Sequence, residues 1–301
     1  MSRPVTVSAI QLPVRKEGET PEEIKLANLQ RSLEGLRAAA ERGSDVALLP
    51  EYSNIHNLPT EGGVGQWADP VPGPYSDALA AAAREHSMNV LAPMLAVLEG
   101  ALRNATLLFA RDGSLVGQYF KVHLPKPEAD WGVAAGDAIA VFDLDVGRVG
   151  VMTCMDVEYP EHALTLMLRG AEIVFFPHVQ SGWGEVDWEI RYRARAVDTG
   201  LFLVSACYGT RPEDAWTPGM MIGRSGVIGR DGGIIAEAGR YAGVVTAHLD
   251  LDCKRISSFH FAKNCERTLA IEASRRPECY HDLVRTDLRD EALRRAEELL
   301  G

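Results

Sequence analysis

Apolar and polar positions follow two rhythms along this chain, one of period two and one near 3.6, and the switches between them mark its elements. Residues 5–11 read as a strand. Thr20-Pro21-Glu22-Glu23 then forms a helix start, with a capping threonine, a proline in the first turn and a glutamate three residues after the cap. Ile24, Ala27, Leu33 and Leu36 recur near helical spacing until Gly43 ends the element. Residues 46–49 predict a short buried strand, 77–85 a helix and 89–94 a strand. Strands at 106–110 and 116–120 flank Arg111-Asp112-Gly113, a hairpin signal. Another strand pair, 139–144 and 149–152, turns at Val146-Gly147. A helix over 160–169 stops at Gly170, and strand 173–176, helix 189–198 and strand 201–206 follow. Residues 225–228, 234–237 and 244–249 read as one antiparallel set, with a turn at Asp231-Gly232-Gly233, and 291–300 as a closing helix.

Strands and helices alternate, but hairpins interrupt them, which predicts an α/β protein with mixed rather than purely parallel sheets. No Pro-, Gly- or Ser-rich linker divides the 301 residues, so one domain is expected over 1–301, with 284–301 as a helical tail. The net charge of −11 lacks the basic footprint of a nucleic-acid binder. The start of the chain lacks the apolar core of a signal peptide, and no apolar run approaches the ~20 residues of a membrane helix. Five cysteines, an odd number without a Cys-x-x-Cys pair, suit neither a disulfide framework nor a zinc site. A reduced, cytoplasmic setting is expected, and it would keep a reactive thiol active.

Three apolar runs end on groups with chemistry. Val149-Gly-Val-Met-Thr stops at Cys154, just before a turn and the helix opened by Pro160-Glu161. That layout holds a thiol at a strand tip beside a helix start, where thiolate is favoured; the plain alternative is a small buried residue. Val46-Ala-Leu-Leu-Pro50 delivers Glu51, and Gly117-Gln-Tyr-Phe delivers Lys121. Alone, Glu51 would read as a turn cap and Lys121 as a solvated charge. Together they supply a base, a cation and a nucleophile, the set that covalent acyl transfer needs.

In order and spacing, Leu-Pro-Glu51, Tyr-Phe-Lys121-Val-His-Leu-Pro and Gly-Val-Met-Thr-Cys154-Met-Asp-Val-Glu-Tyr-Pro-Glu161 resemble the three motifs of the nitrilase superfamily of carbon–nitrogen hydrolases. Further echoes at 191–197, 223–233 and 275–280 carry the resemblance from Val5 to about Leu283. It implies a four-layer α-β-β-α sandwich of two mixed sheets, and homodimers or larger homo-oligomers. It implies a thioester route, with Cys154 as nucleophile, Glu51 as general acid–base and Lys121, helped by the backbone N–H of Met155, holding the oxyanion. Amidase-type members carry a second glutamate that Glu128 matches, although the loop is about one residue longer and Asp130 is the alternative acid. Tyr52, Trp131, Met155, His178 and Gln180, with Trp183 and Trp188, are the residues expected to shape the substrate site. His123 and His178 are read as structural rather than as catalytic bases, and Arg195 as the family's structural arginine. Asp198-Thr199 and Cys207 depart from the usual pattern. Met155-Asp156 replaces the Trp-Glu typical of nitrile-cleaving members, which points to a small-molecule amide or carbamoyl substrate. No metal or cofactor is implied. The alternatives are a nitrilase proper and a catalytically silent binding protein; retention of Glu51, Lys121 and Cys154 counts against the second.

Overall fold

The computed structural model describes residues 2–180, 187–214, 223–253 and 272–300. It separates into two compact units, Met1–Cys253 and Lys254–Gly301. In the first, the strands are β1 (Pro4–Pro13), β2 (Val46–Leu48), β3 (Asp69–Pro70), β4 (Asn89–Leu98), β5 (Ala101–Phe109), β6 (Leu115–Phe120), β7 (Val141–Leu144) and β8 (Gly147–Val151). These continue with β9 (Ile173–Pro177), β10 (Phe202–Ala206), β11 (Tyr208–Gly209), β12 (Gly226–Ile228), β13 (Ile234–Glu237) and β14 (Gly243–Asp250). The helices are α1 (Pro21–Glu41), α2 (Pro74–His86), the short α3 (Lys126–Asp130), α4 (Pro160–Leu168) and α5 (Arg193–Thr199). In the second unit, α6 (Thr286–Leu300) is the main described element.

Local signals account for the element ends. The Thr20 hydroxyl accepts the Glu23 N–H at 3.3 Å, and the Glu23 carboxylate accepts the Thr20 N–H at 3.1 Å, so the capping box forms as the sequence predicts. Gly35 lets α1 lie close on β1, because a Cβ there would come within 2.6 Å of Ile10. The helix expected over 189–198 opens instead as a wider π-type turn, Asp187–Tyr192, before α5.

The strands form two mixed sheets. One has the order β11-β1-β2-β4-β5-β6, with β14 also on β1 and β3 on β4; the other runs β13-β12-β10-β9-β8-β7. Period-two alternation sorts their side chains. Val5, Val7 and Ala9 of β1 face Val151, Phe175 and Val204 in the core between the sheets. The opposite face, with Ile10, Leu12, Val90 and Ala92, packs on Leu36 and Ala39 of α1 and on Leu79 and Ala83 of α2. The second sheet's outer face packs on Ala163 and Leu166 of α4 and Ala196 of α5. This is the α-β-β-α sandwich.

The expected grouping of the last three strands needs correction. β12 and β13 pair as an antiparallel hairpin, but β14 crosses to the other sheet and runs antiparallel to β1, from Pro4 opposite Asp250 to Gln11 opposite Gly243. Eight paired positions on a partner more than 230 residues away outweigh the short hairpin contact suggested by nearness in sequence.

Candidate active site

Each site residue leaves an apolar strand. Glu51 follows β2, whose three residues are fully buried, and Lys121 follows β6. Cys154 follows β8 and adopts φ +48°, a left-handed conformation that is rare outside glycine and concentrates at functional turns. It begins a tight helical turn, Cys154–Glu158, that leads into α4. Tyr52, beside Glu51, is likewise left-handed, with φ +59°.

The structure brings Glu51, Lys121, Glu128 and Cys154 together. The Lys121 side chain has no solvent exposure, and its ammonium donates to Glu51 Oε1 at 3.0 Å and to Glu128 Oε1 at 2.6 Å. Asn104 Nδ2 on β5 donates to the same Glu51 oxygen at 2.7 Å and reaches Glu128 Oε2 at 3.4 Å. The second oxygen of Glu51 is buried without a hydrogen-bond partner among the described residues. A buried carboxylate with one oxygen anchored and one open suits a proton acceptor. α3 turns Glu128 inward to Lys121, whereas Asp130 is exposed and pairs with Lys126 at 2.8 Å. Asn104 escaped the sequence reading. Its one signal was an amide inside a strand otherwise turning apolar.

The electrostatics follow from burial and from charge pairing. Burial, reinforced by the Glu51 carboxylate, pushes the Cys154 thiol well above its ordinary value, and Lys121 opposes this only in part. The resting group is therefore the thiol, and attack needs a base. Burial works against the Lys121 charge, but the neighbouring Glu51 and Glu128 carboxylates more than offset it and hold the ammonium protonated. Burial and the Glu51 charge raise Glu128 above the usual carboxylate range, against the pull of Lys121.

A second buried network braces this arrangement. Asp156 accepts from the Thr153 N–H at 2.8 Å, the Tyr119 hydroxyl at 2.5 Å, the His123 N–H at 3.0 Å and His123 Nδ1 at 2.7 Å. Tyr119 and His123 bracket Lys121, while Thr153 precedes Cys154, so one carboxylate ties the lysine strand to the cysteine turn. The His123, Asp156 and His162 donor atoms lie within 4.8 Å of one another. Both Asp156 oxygens already accept hydrogen bonds, so the cluster acts as a brace rather than an open cation site. Arg195 is nearly buried and donates through Nε to the Val157 carbonyl at 3.1 Å, which secures the same turn from α5.

A cavity of about 340 Å³ opens onto Cys154 and Glu128. Tyr52 and Trp131 line it, with Ile55, Leu58, Val64 and Val179. Met155, His178 and Gln180 are not among its described lining residues. His178 is fully buried beneath the site, 3.3 Å from the Ser205 hydroxyl, and burial lowers its pKa to about 3. The Gln180 side-chain carbonyl accepts from the Tyr192 hydroxyl. Trp188 is buried and donates to the Arg224 carbonyl at 2.7 Å, and Trp183 lies outside the described residues.

The family model for carbon–nitrogen hydrolases matches residues 6–255. Human omega-amidase NIT2 is 27% identical over 242 residues, covering 76% of this chain and 84% of that one. Among solved structures, an amidase from Nesterenkonia sp. superposes with a TM-score of 0.75 at 21% identity, covering 94% of this chain and 97% of its own. A carbon–nitrogen hydrolase from Helicobacter pylori G27 also gives 0.75, at 22% identity and with 94% and 99% covered. These two structures support the fold.

Proposed function

The chain belongs to the carbon–nitrogen hydrolase family, and from that premise we propose that it hydrolyses a small-molecule amide or carbamoyl C–N bond through a thioester on Cys154. The observation that carries this reading is the fully buried Lys121 ammonium, held between Glu51 and Glu128, with the second Glu51 oxygen buried and without a hydrogen-bond partner among the described residues.

Glu51 takes the thiol proton as Cys154 Sγ bonds to the substrate's carbonyl carbon. The carbonyl π pair moves onto oxygen, and the Lys121 ammonium, with the Met155 N–H, stabilises that negative charge. Collapse of the tetrahedral intermediate breaks the C–N bond, and Glu51 returns its proton to the departing ammonia or amine. Water, deprotonated by Glu51, then attacks the thioester, and the protonated Glu51 restores the thiol as the acid leaves. Glu128 anchors the ammonium and forms the inner wall of the cavity.

The same proposal includes a reduced cytoplasmic setting and a homodimer or larger assembly. Among the described residues, Cys154, Cys207, Cys253 and Cys279 are unpaired, which fits the first. Among the described residues, no helix is long and apolar enough to cross a membrane.

A panel of amides and ureido compounds assayed for released ammonia tests the reading. Turnover is expected with the unaltered protein and none above background with Cys154→Ala, whose circular dichroism should be unchanged. Full activity in that variant would end the thioester route.

A further inference from the structure

We propose that the substrate's acyl group is short, uncharged and largely apolar, rather than a second carboxylate. The inference rests on the hydrolase reading above and narrows it. The Cys154 cavity is walled by Ile55, Leu58, Val64, Pro125, Trp131 and Val179. Its volume of about 340 Å³ lies at the small end of small-molecule sites.

Of the polar groups in the wall, His56 and Asn57 are committed elsewhere, Glu128 is of the wrong sign for an anion, and the Tyr52 and Thr60 hydroxyls carry no charge. The His56 ring stacks on Tyr208 at 3.8 Å, and its Nε2 faces the Val14 carbonyl at 3.3 Å. Burial lowers its pKa to about 4, so it presents a neutral ring near pH 7. Asn57 Nδ2 donates to the same Val14 carbonyl at 3.0 Å. Among the described residues, no lysine or arginine lines the cavity. Lys121 lies behind it, already bound to two carboxylates. A carboxylate on the substrate would therefore enter a largely apolar cavity with no cation among its described lining residues, and it would meet the Glu128 carboxylate in the wall. An unpaired buried charge of this kind is strongly unfavourable. An alkyl or aryl group in the same space releases water from the apolar wall. The Tyr52 hydroxyl, buried in the wall close to the Glu128 carboxylate, offers one polar contact to a neutral substrate.

Two amides matched in size test this: hexanamide, which ends in a methyl group, and the monoamide of glutaric acid, which ends in a carboxylate. Ammonia release gives kcat/KM for each, and intact mass shows whether Cys154 gains an acyl group. Hexanamide is expected to be favoured by about 100-fold or more. Equal or faster turnover of the carboxylate amide would overturn the inference and leave the hydrolase reading standing. No ammonia from either amide or from the wider panel, with no adduct on Cys154, would remove both. In Trp131→Arg, a cation in the wall should shift the ratio toward the carboxylate amide by about tenfold or more. The ratio is measured on one enzyme, so loss of folded protein cancels. An unmoved ratio would mean that this wall does not read the acyl group, contrary to the inference.

Discussion

At the scale of single residues, the two oxygens of Glu51 have different surroundings. Oε1 accepts from Lys121 and Asn104, whereas Oε2 has no hydrogen-bond partner among the described residues. Asn104 and Lys121 thereby anchor one oxygen and leave the other unbonded among the described residues. Asn104→Ala should lower kcat by up to about 100-fold, through misplacement of the base, with a smaller effect on KM. A steady-state comparison checks this, and an unchanged kcat would show that Lys121 alone orients Glu51. The apolar runs of the sequence showed only that Glu51, Lys121 and Cys154 each end a strand, and their meeting was an expectation from the family resemblance. Asn104 was not legible, because a lone amide in a strand does not announce which strand faces it. The choice between Glu128 and Asp130 was also closed to sequence. It depends on the rotation of the five-residue α3, which turns Glu128 inward and leaves Asp130 in solvent.

Among the elements, β6 and the Cys154 turn are joined through Asp156. Its carboxylate is fully buried, and its hydrogen bonds to His123, Tyr119 and Thr153 outweigh the cost of burial, so its pKa lies below the usual carboxylate range. Asp156→Asn would set an amide N–H₂ against hydrogen-bond donors. Mismatched buried groups of this kind cost about 1–3 kcal/mol each. A lower urea midpoint is expected together with a reduced kcat, because the brace links the two elements that hold the ammonium and the sulfur. A variant as stable and as fast as the parent would contradict that role. The existence and faces of most strands were legible from alternation, as β1 shows by dividing Val5, Val7 and Ala9 from Ile10 and Leu12. Partner choice was not. The pattern of β14 is the same whether it lies on β12–β13 or on β1, and the pairing with β1 arises from contacts distant in sequence.

For the molecule as a whole, buried histidines weigh against acid conditions, and burial lowers the pKa of His162 as well as those of His56 and His178. His56 and His178 have pKa values lowered from 6.5 to about 4 and about 3, in each case by burial. Below pH 6.5 the unfolded chain protonates them while the folded chain does not. Their contribution to stability is thus complete above pH 6.5 and is lost as pH falls toward the folded values. Within that window each contributes a slope of about 1.4 kcal/mol per pH unit. Denaturation midpoints measured between pH 7 and 4 should fall steeply, and His178→Asn should flatten the profile. Equal slopes in the parent and the variant would exclude His178 as a source of the acid sensitivity. The four-layer order was visible as an expectation from the family resemblance. The alternation of strands and helices indicated only mixed sheets, because stacking two sheets is a choice of tertiary contact.

The claim on which all three scales converge is that Cys154 carries the acyl group between two half-reactions. The most direct measurement is rapid acid quenching of the enzyme with excess hexanamide, followed by intact-mass and peptide analysis. The account predicts a population with the mass of the amide less ammonia, located on Cys154 and cleared as substrate is exhausted. Steady ammonia release with Cys154 unmodified at every time point, and undiminished in Cys154→Ala, would contradict it.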